Sequence, residues 1–145
     1  MKLSSLPLGG WPFDLRATLH SGQVFHWHEH GAGFAGLDGD QALYVEQPEP
    51  GLLRCLPGTE ESVRRVFALD HPMESIAASF PPDDASLHAA MQWCPGLRLM
   101  RQPHWECLAT FITSSLKQVP HIRKISLTLR ERFGTPVKTT DGPPQ

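Results

Sequence analysis

The sequence predicts an α+β fold in which an antiparallel sheet from the first half of the chain packs against helices. In residues 11–57, apolar and polar residues alternate with a period of two, which is typical of strands with one buried face. From residue 59 onward, apolar residues recur every three or four positions, which is typical of amphipathic helices. The chain has 145 residues, 40% hydrophobic and 19% charged, an ordinary composition for a globular domain.

Five strands are expected in the first half, over residues 13–19, 24–30, 34–37, 42–46 and 52–56. Segments rich in glycine, proline and aspartate predict the later turns, namely Gly31-Ala32-Gly33, Asp38-Gly39-Asp40 and Pro48-Glu49-Pro50-Gly51. An antiparallel meander needs a cover over its apolar face. We expect this cover to be helical.

Three short helices are expected to follow the sheet. Thr59 is placed to cap the first helix, and Glu60 and Glu61 suit its positive end. The second helix is expected over residues 73–79. After Pro81-Pro82, Asp83 or Asp84 is expected to cap the third helix. The buried side of this third helix is expected to consist of Leu87, Ala90, Met91 and Trp93.

Two longer helices, joined by a short polar turn, are expected in residues 96–134. Pro103 suits the first turn of the first helix. Apolar residues cover almost every side of that helix, so it is expected to be buried. Pro120 opens the second helix, and Gly134 is placed to end it. The second helix has one apolar side, formed by Ile122, Ile125, Leu129 and Phe133, and is basic elsewhere.

The charge is distributed unevenly along the chain. Residues 1–97 contain five Lys/Arg and twelve Asp/Glu, a net charge of −7, whereas residues 98–138 contain eight Lys/Arg and two Asp/Glu, a net charge of +6. An acidic body with a basic end indicates that a polyanion binds the C-terminal third. On charge alone, a solvated basic helical surface is the preferred interpretation.

Composition also bears on compartment. No apolar run reaches the ~18–20 residues that span a bilayer, and the first residues lack the apolar core of a signal peptide. The cysteines Cys55, Cys94 and Cys107 are odd in number and lack C-x-x-C spacing, so they predict neither a disulfide framework nor a zinc site. We therefore expect a protein of the cytoplasm, associated with the nucleoid, or of the nucleus, and not a secreted one.

Two clusters of chemically capable residues are expected to be structural. His26, His28 and His30 share one strand face, but same-face neighbours lie about 6.6 Å apart, too far for three of them to converge on one zinc at ~2.1 Å. We expect no metal site and no cofactor. Ser114 and Ser115 have no Asp and His in a frame that predicts a triad, so we expect them to end a helix through bonds to the backbone.

Two segments resemble a known family. Residues 97–115, LRLMRQPHWECLATFITSS, resemble the start of the helical domain of 8-oxoguanine DNA glycosylases, and residues 21–27, SGQVFHW, are similar to the SGQ-x-F-x-W signature of that family's N-terminal domain. The resemblance covers residues 13–134. It implies a twisted sheet like that of TATA-binding protein in residues 1–94, followed by a truncated all-helical domain, the start of a helix-hairpin-helix glycosylase domain, in residues 95–134. Residues 135–145 are polar and are expected to form an unstructured tail.

The resemblance also implies a role for Gly22, which without it is most simply a turn glycine between strands. Normal guanine presents N7 as an acceptor, whereas 8-oxoguanine carries a hydrogen there. The family resemblance implies that the Gly22 carbonyl accepts from this N7–H. Normal guanine would leave that carbonyl unpaired, at about 1–3 kcal/mol.

The turn Leu116-Lys117-Gln118 falls where these glycosylases place an asparagine-rich loop that fills the hole left by the flipped base. Here Leu116 is expected to act as an apolar wedge and Lys117 to reach phosphate. His121 stands where a family arginine contacts the orphaned base. With Gln118, Arg123 and Lys124, these residues form the expected DNA-binding surface. Free N–H groups near Val119 and His121 are expected to bind phosphate.

The resemblance implies the N-terminal portion of a base-excision-repair DNA N-glycosylase/AP lyase that recognises 8-oxoguanine in duplex DNA. The family's chemistry requires a lysine nucleophile after a helix-hairpin-helix and an aspartate further on, acting on a flipped base. Lys138 is the last lysine and no such hairpin precedes it. We therefore expect no catalytic residue in this chain, no turnover by it alone, and a missing C-terminal helical domain as a partner beside damaged duplex DNA.

Three alternatives stay open. The chain could be a non-catalytic DNA-binding fragment that keeps the basic turn. The absence of the asparagines leaves open part of an alkylated-purine glycosylase of the 3-methyladenine type. The third alternative is a structural domain whose basic end serves solubility alone.

Overall fold

The computed structural model describes residues 2–137, so the expected tail beyond residue 137 lies outside the described residues. The strands are β1 (Ser4–Pro7), β2 (His28–His30), β3 (Gly33–Asp38), β4 (Gln41–Glu49) and β5 (Leu52–Cys55). The helices are α1 (Leu15–His20), α2 (Glu60–Val66), α3 (Met73–Ala78), α4 (Ala85–Trp93), α5 (His104–Ser114) and α6 (Val119–Phe133). Among residues 2–137, no helix combines the length and apolarity that crossing a membrane requires.

The strands form one antiparallel sheet in the order β1-β5-β4-β3-β2. Strands β3 and β4 are joined by the predicted turn after Asp38, with Phe34 opposite Val45. The pairing of β4 with β5 shifts register between Glu46 and Glu49. The predicted α+β class with an antiparallel sheet is confirmed, as are the strands predicted over residues 34–37, 42–46 and 52–56.

The strand expected over residues 13–19 is wrong, because this segment contains helix α1. Asp14 caps the helix by accepting a 2.8 Å hydrogen bond from the Ala17 N–H. Leu15, Thr18 and Leu19 are buried, at the i, i+3, i+4 spacing of a helix face. The fifth strand is instead β1, a short segment that the alternation did not reveal and that pairs with β5.

The strand expected over residues 24–30 is shorter than predicted, because only His28–His30 pairs with β3. Val24 and Trp27 are nevertheless buried in the loop that leads to β2. The Trp27 ring lies directly over Gly36, where a Cβ would collide with it. These apolar residues therefore reach the core from a loop. The alternation of apolar and polar residues wrongly predicted that their backbone forms a strand.

The core lies between the sheet, α1 and α2. Phe67, at the end of α2, is completely buried, with its ring centroid 5.6 Å from that of Phe13 and 5.5 Å from that of Trp27. Val63 and Val66 of α2 are also buried. Thr59 occupies the predicted N-cap position, but its hydroxyl donates to the Leu56 carbonyl at 2.7 Å instead of capping the helix.

Helices α3 to α6 were predicted near their observed positions, but the predicted burial of α4 and α5 is wrong. Asp84 caps α4 as predicted, accepting from the Leu87 N–H at 2.9 Å, yet no residue of α4 or α5 is buried. Trp93 in α4 and Phe111 in α5 are 90% and 75% exposed. The apolar surface of α5 is too wide for α6 to cover, and no other described segment does so.

Candidate nucleic-acid interface

Residues 96–102, which we call the strap, connect α4 to α5 and lie against the sheet-bearing half of the chain. The Asp14 N–H donates to the Gly96 carbonyl, and the Arg101 N–H donates to the Val66 carbonyl, both at 2.9 Å. A Cβ on Gly96 would lie 2.6 Å from the Asp14 nitrogen, so only glycine permits this approach. The strap therefore fixes the start of α5 relative to the core.

Gln23 joins the two sequence segments that define the site. Its Nε2 donates to the Ser21 hydroxyl and to the Arg98 carbonyl, both at 2.8 Å, and its Oε1 accepts from the Met100 N–H at 2.8 Å. Its own carbonyl accepts from the Gln102 side chain at 3.1 Å. The Ser-Gly-Gln loop and the strap, about 75 residues apart in sequence, are thus one hydrogen-bonded unit.

Gly22 lies at the centre of this unit and faces the start of α6. Its φ of +86° is in the left-handed region, which favours glycine. A Cβ built on Gly22 would lie 4.0 Å from the Val119 side chain, so space is available and the backbone conformation is the constraint. The structure therefore brings Gly22 beside the α5–α6 turn, although 97 residues separate Gly22 from Val119 in sequence.

The turn between α5 and α6 presents a fully exposed apolar side chain. Leu116 has a φ of +56°, an unfavourable conformation for a residue with a Cβ, and its side chain contacts nothing that would bury it. Lys117 and Gln118 beside it are exposed. Ser114 ends α5 as predicted, its hydroxyl donating to the Phe111 carbonyl at 2.7 Å.

The expected backbone phosphate site at the start of α6 is wrong in part. The His121 N–H already donates to the Gln118 carbonyl at 2.9 Å, and Pro120 has no N–H. Among the described residues, only the Val119 N–H of this first turn lacks a backbone partner. A single amide is a weak anion site, so any phosphate contact here depends on side-chain charge.

Four of the five basic side chains of α6 fall into two groups. His121, Arg123 and Lys124 are exposed near the turn. Arg130 lies in the last turn of α6. It forms a 2.5 Å ion pair with Glu106 of α5, and both side chains are largely buried. Arg130 therefore joins the two helices, whereas the first group remains available to a ligand.

The exposed basic surface continues from α6 onto the sheet-bearing half. Arg123 lines a cavity of about 220 Å³ together with His20 and Glu29. Arg16 pairs with Glu29 at 2.5 Å, and this hydrogen bond lowers the pKa of the Glu29 carboxyl. The Glu29 carboxylate in this cavity is thus ionised and paired with Arg16.

The histidines of the β2 region do not form a metal centre in the described part of the chain. His26 points toward Leu37, with its Nε2 3.0 Å from the Leu37 carbonyl, and burial followed by the charge of Arg130 lowers its pKa. The His28 and His30 ring centroids are 6.4 Å apart. No group of three His, Cys, Asp or Glu residues within residues 2–137 could hold a metal ion.

Sequence analysis missed the structural role of Gln23 and the burial of Arg98. Gln23 lies within the SGQ motif, in which the family resemblance implies a role only for Gly22. Arg98 is 5% exposed although it is an arginine in a loop. No periodicity in the sequence identifies either residue. The one available signal was that each lies in one of the two segments that resemble the family.

Comparison with known proteins identifies relatives of both halves. Residues 5–108 match the model of the family described as 8-oxoguanine DNA glycosylase, N-terminal domain. The structure of MBOgg1 in complex with a low-affinity DNA ligand is 28% identical, with a TM-score of 0.78, covering 98% of this chain and 53% of that one. The chain therefore spans about half the length of that relative.

The fold also matches Clostridium acetobutylicum 8-oxoguanine glycosylase/lyase at 18% identity. Its complex with double-stranded DNA containing cytosine opposite 8-oxoG gives a TM-score of 0.77, covering 98% of this chain and 52% of that one. Its apo-form gives a TM-score of 0.75, covering 97% and 52%. At this identity the match concerns the fold.

Proposed function

We propose that this chain, which belongs to the 8-oxoguanine DNA glycosylase family, is the N-terminal portion of a base-excision-repair DNA N-glycosylase/AP lyase. Its target would be 8-oxoguanine in duplex DNA. The observation that carries the proposal is the proximity of Gly22 to Val119, because it places the lesion-reading candidate beside the candidate DNA-facing turn. Damaged duplex DNA is the proposed partner, in the nucleoid-bearing cytoplasm or the nucleus.

We propose a division of labour along the chain. Residues 1–94 form the N-terminal sheet-and-helix domain, and residues 95–134 begin the helix-hairpin-helix glycosylase domain. The exposed apolar side chains of α5, including Trp105 and Phe111, would pack against the remaining helices of that second domain. This explains why a helix that is apolar on nearly every side has no buried residue here.

Gly22 is proposed to discriminate the lesion through its backbone carbonyl. A glycine at this position supports the role, because its φ of +86° is a backbone conformation that other residues rarely adopt. The Gln23 hydrogen bonds hold the loop in place, which reduces the reorganisation needed on binding. Normal guanine would leave the carbonyl facing an N7 acceptor, which disfavours it.

The α5–α6 turn is proposed to contact the duplex at the site of base flipping. Leu116 would insert as an apolar wedge, since its full exposure and strained φ are otherwise unfavourable. Lys117, Arg123 and Lys124 would neutralise flanking phosphates. Gln118 and His121 would lie next to the orphaned base.

Duplex binding tests this proposal. A Lys117→Ala, Lys124→Ala pair should lower the slope of log K against log salt by about two and weaken all sequences alike, because each lysine neutralises one phosphate. Fluorescence anisotropy at several low salt concentrations measures both quantities. The matched control is Arg54→Ala, Arg64→Ala, which removes the same charge from exposed residues of β5 and α2.

The proposal fails if the control pair lowers the salt slope while the lysine pair leaves it unchanged. Duplexes with an alkylated purine in place of 8-oxoguanine test the alternative glycosylase type, which the lack of asparagine in the Leu116-Lys117-Gln118 turn keeps open. Tighter binding to the alkylated purine would assign the chain to that type.

The 145-residue polypeptide is also proposed to lack turnover. The reaction proceeds through a lysine Schiff base, which borohydride traps as a covalent adduct. We expect no adduct when this polypeptide alone is incubated with 8-oxoguanine duplex and borohydride. A trapped adduct on a denaturing gel would contradict the assignment of the chemistry to another part of the protein.

A further inference from the structure

A cavity of about 240 Å³ lies on the sheet-bearing half, away from the α5–α6 turn. Leu8, Trp11, Phe13, Leu69 and Met73 supply most of its apolar wall. Gly9 and Gly10 form part of its rim, and a Cβ on Gly9 would meet nothing within 4 Å. The cavity is therefore open at the two glycines, and its wall combines these apolar side chains with polar groups.

Arg98 of the strap also lines this cavity and is 5% exposed. Its Nε and Nη1 are buried and have no hydrogen-bond partner among the described residues. Its backbone is fully engaged, since the N–H donates to the Thr18 hydroxyl at 3.3 Å and the carbonyl accepts from Gln23. The backbone thus fixes an arginine whose buried Nε and Nη1 lack an acceptor among the described residues.

An unpaired cation in such a place is unusual. Buried polar groups are nearly always hydrogen-bonded, and buried charges are paired. Burial alone lowers the pKa of Arg98, with no contribution from a carboxylate. Three titratable residues line the cavity, namely His71, Glu74 and Arg98, and exposed Glu74 is the single acidic one.

The cavity's chemistry selects among anions. A guanidinium presents two parallel N–H groups that match a carboxylate. The apolar wall favours an anion attached to an apolar body, and Glu74 at the same cavity disfavours a dianion such as phosphate. A single negative charge matches the single cation.

We propose that this cavity is a binding site for a carboxylate carried on an apolar body, with the Arg98 guanidinium as its anchor. The carboxylate could belong to a small organic acid or to an acidic side chain of a polypeptide segment flanked by apolar residues. Both sources present the same group to Arg98. None of the residues proposed to contact DNA lines this cavity.

Thermal unfolding at constant ionic strength tests the proposal, with benzoate, acetate, phosphate and a blocked glutamate-leucine dipeptide as probes. Benzoate or the dipeptide should raise the Tm of the wild-type chain by about 3–6 °C at ten times its Kd. Arg98→Met should abolish this rise. The variant should itself be at least as stable as the wild type, because the substitution removes an unpaired buried charge.

Two further variants keep the test decisive. Arg54→Met removes an exposed arginine from β5 and should retain the full rise. Arg98→Lys keeps the charge but loses the planar fork, so it should bind more weakly than the wild type. The Arg98 Nε–Hε resonance, assigned by its loss in Arg98→Met, should shift on titration with benzoate.

A larger Tm rise with the dipeptide than with benzoate would identify a polypeptide source, and the reverse would identify a small acid. A rise with phosphate equal to that with benzoate would contradict the carboxylate assignment. No rise with any probe, or an equal rise in Arg98→Met, would overturn the proposal. Since none of these measurements uses DNA, they are independent of the proposed glycosylase function.

Discussion

The first half of the molecule encloses its apolar residues, whereas the second half displays them. Helix α2 buries Val63 and Val66 and leads into the fully buried Phe67. Helix α5 is richer in apolar residues than α2, yet none of its residues is buried. The difference teaches that apolar periodicity predicts a helix and its apolar face, but not whether the covering surface belongs to the same stretch of chain.

The largest expected effect on the free energy of unfolding comes from removing a phenylalanine ring from the core of the first half. Phe67→Ala should lower the free energy of unfolding by about 3–5 kcal/mol, because the ring fills the core between Phe13 and Trp27. Phe111→Ala removes the same side chain from an exposed face and should change it by less than about 0.5 kcal/mol. Urea denaturation measures both. Equal losses would mean that α5 is covered in solution.

A second prediction concerns the attachment of the second half to the first. Gln23→Ala should cost about 2–3 kcal/mol, since it removes three side-chain hydrogen bonds and leaves strap groups unpaired. Hydrogen exchange at the Met100 amide should accelerate. Gln92→Ala, an exposed glutamine of α4, is the control and should change neither quantity. An unchanged Met100 exchange rate in Gln23→Ala would show that the strap is held by other contacts.

These elements show what the sequence could predict. Strands β3 to β5 and all helices from α2 onward were identifiable, because each has local periodicity or capping residues. Helix α1 was misassigned, since its six residues happen to alternate in polarity as well. The Gln23 bonds and the Gly22–Val119 proximity depend on how distant segments pack, which no local pattern encodes.

A smaller effect, a pH dependence of stability, is expected from His26, which lies near Arg130 of α6. Burial, followed by the nearby Arg130 charge, lowers the pKa of His26 below its usual value of 6.5. Protonation therefore favours the unfolded chain. The stability contributed by neutral His26 should be complete above about pH 6.5 and should fall as the pH drops toward the lowered pKa.

Urea denaturation at a series of pH values measures this effect. His26→Gln should flatten the pH dependence in that window. His121→Gln, which changes an exposed histidine of α6, should leave the dependence as in the wild type. If only the His121 variant flattened the pH dependence of stability, the assignment of this dependence to His26 would be wrong.

The central claim, that the α5–α6 turn meets the duplex beside the lesion, is tested most directly by disulfide cross-linking. Leu116→Cys is introduced after exposed Cys107 and half-buried Cys94 are replaced by serine. Cys55 can remain, because it is buried and burial raises the pKa of its thiol. The duplex carries a thiol tether on the base opposite 8-oxoguanine, and Arg54→Cys on the distant strand β5 is the control. We predict cross-linking of the Leu116 variant in preference to the control. Cross-linking of the control variant with equal or greater yield would contradict the account.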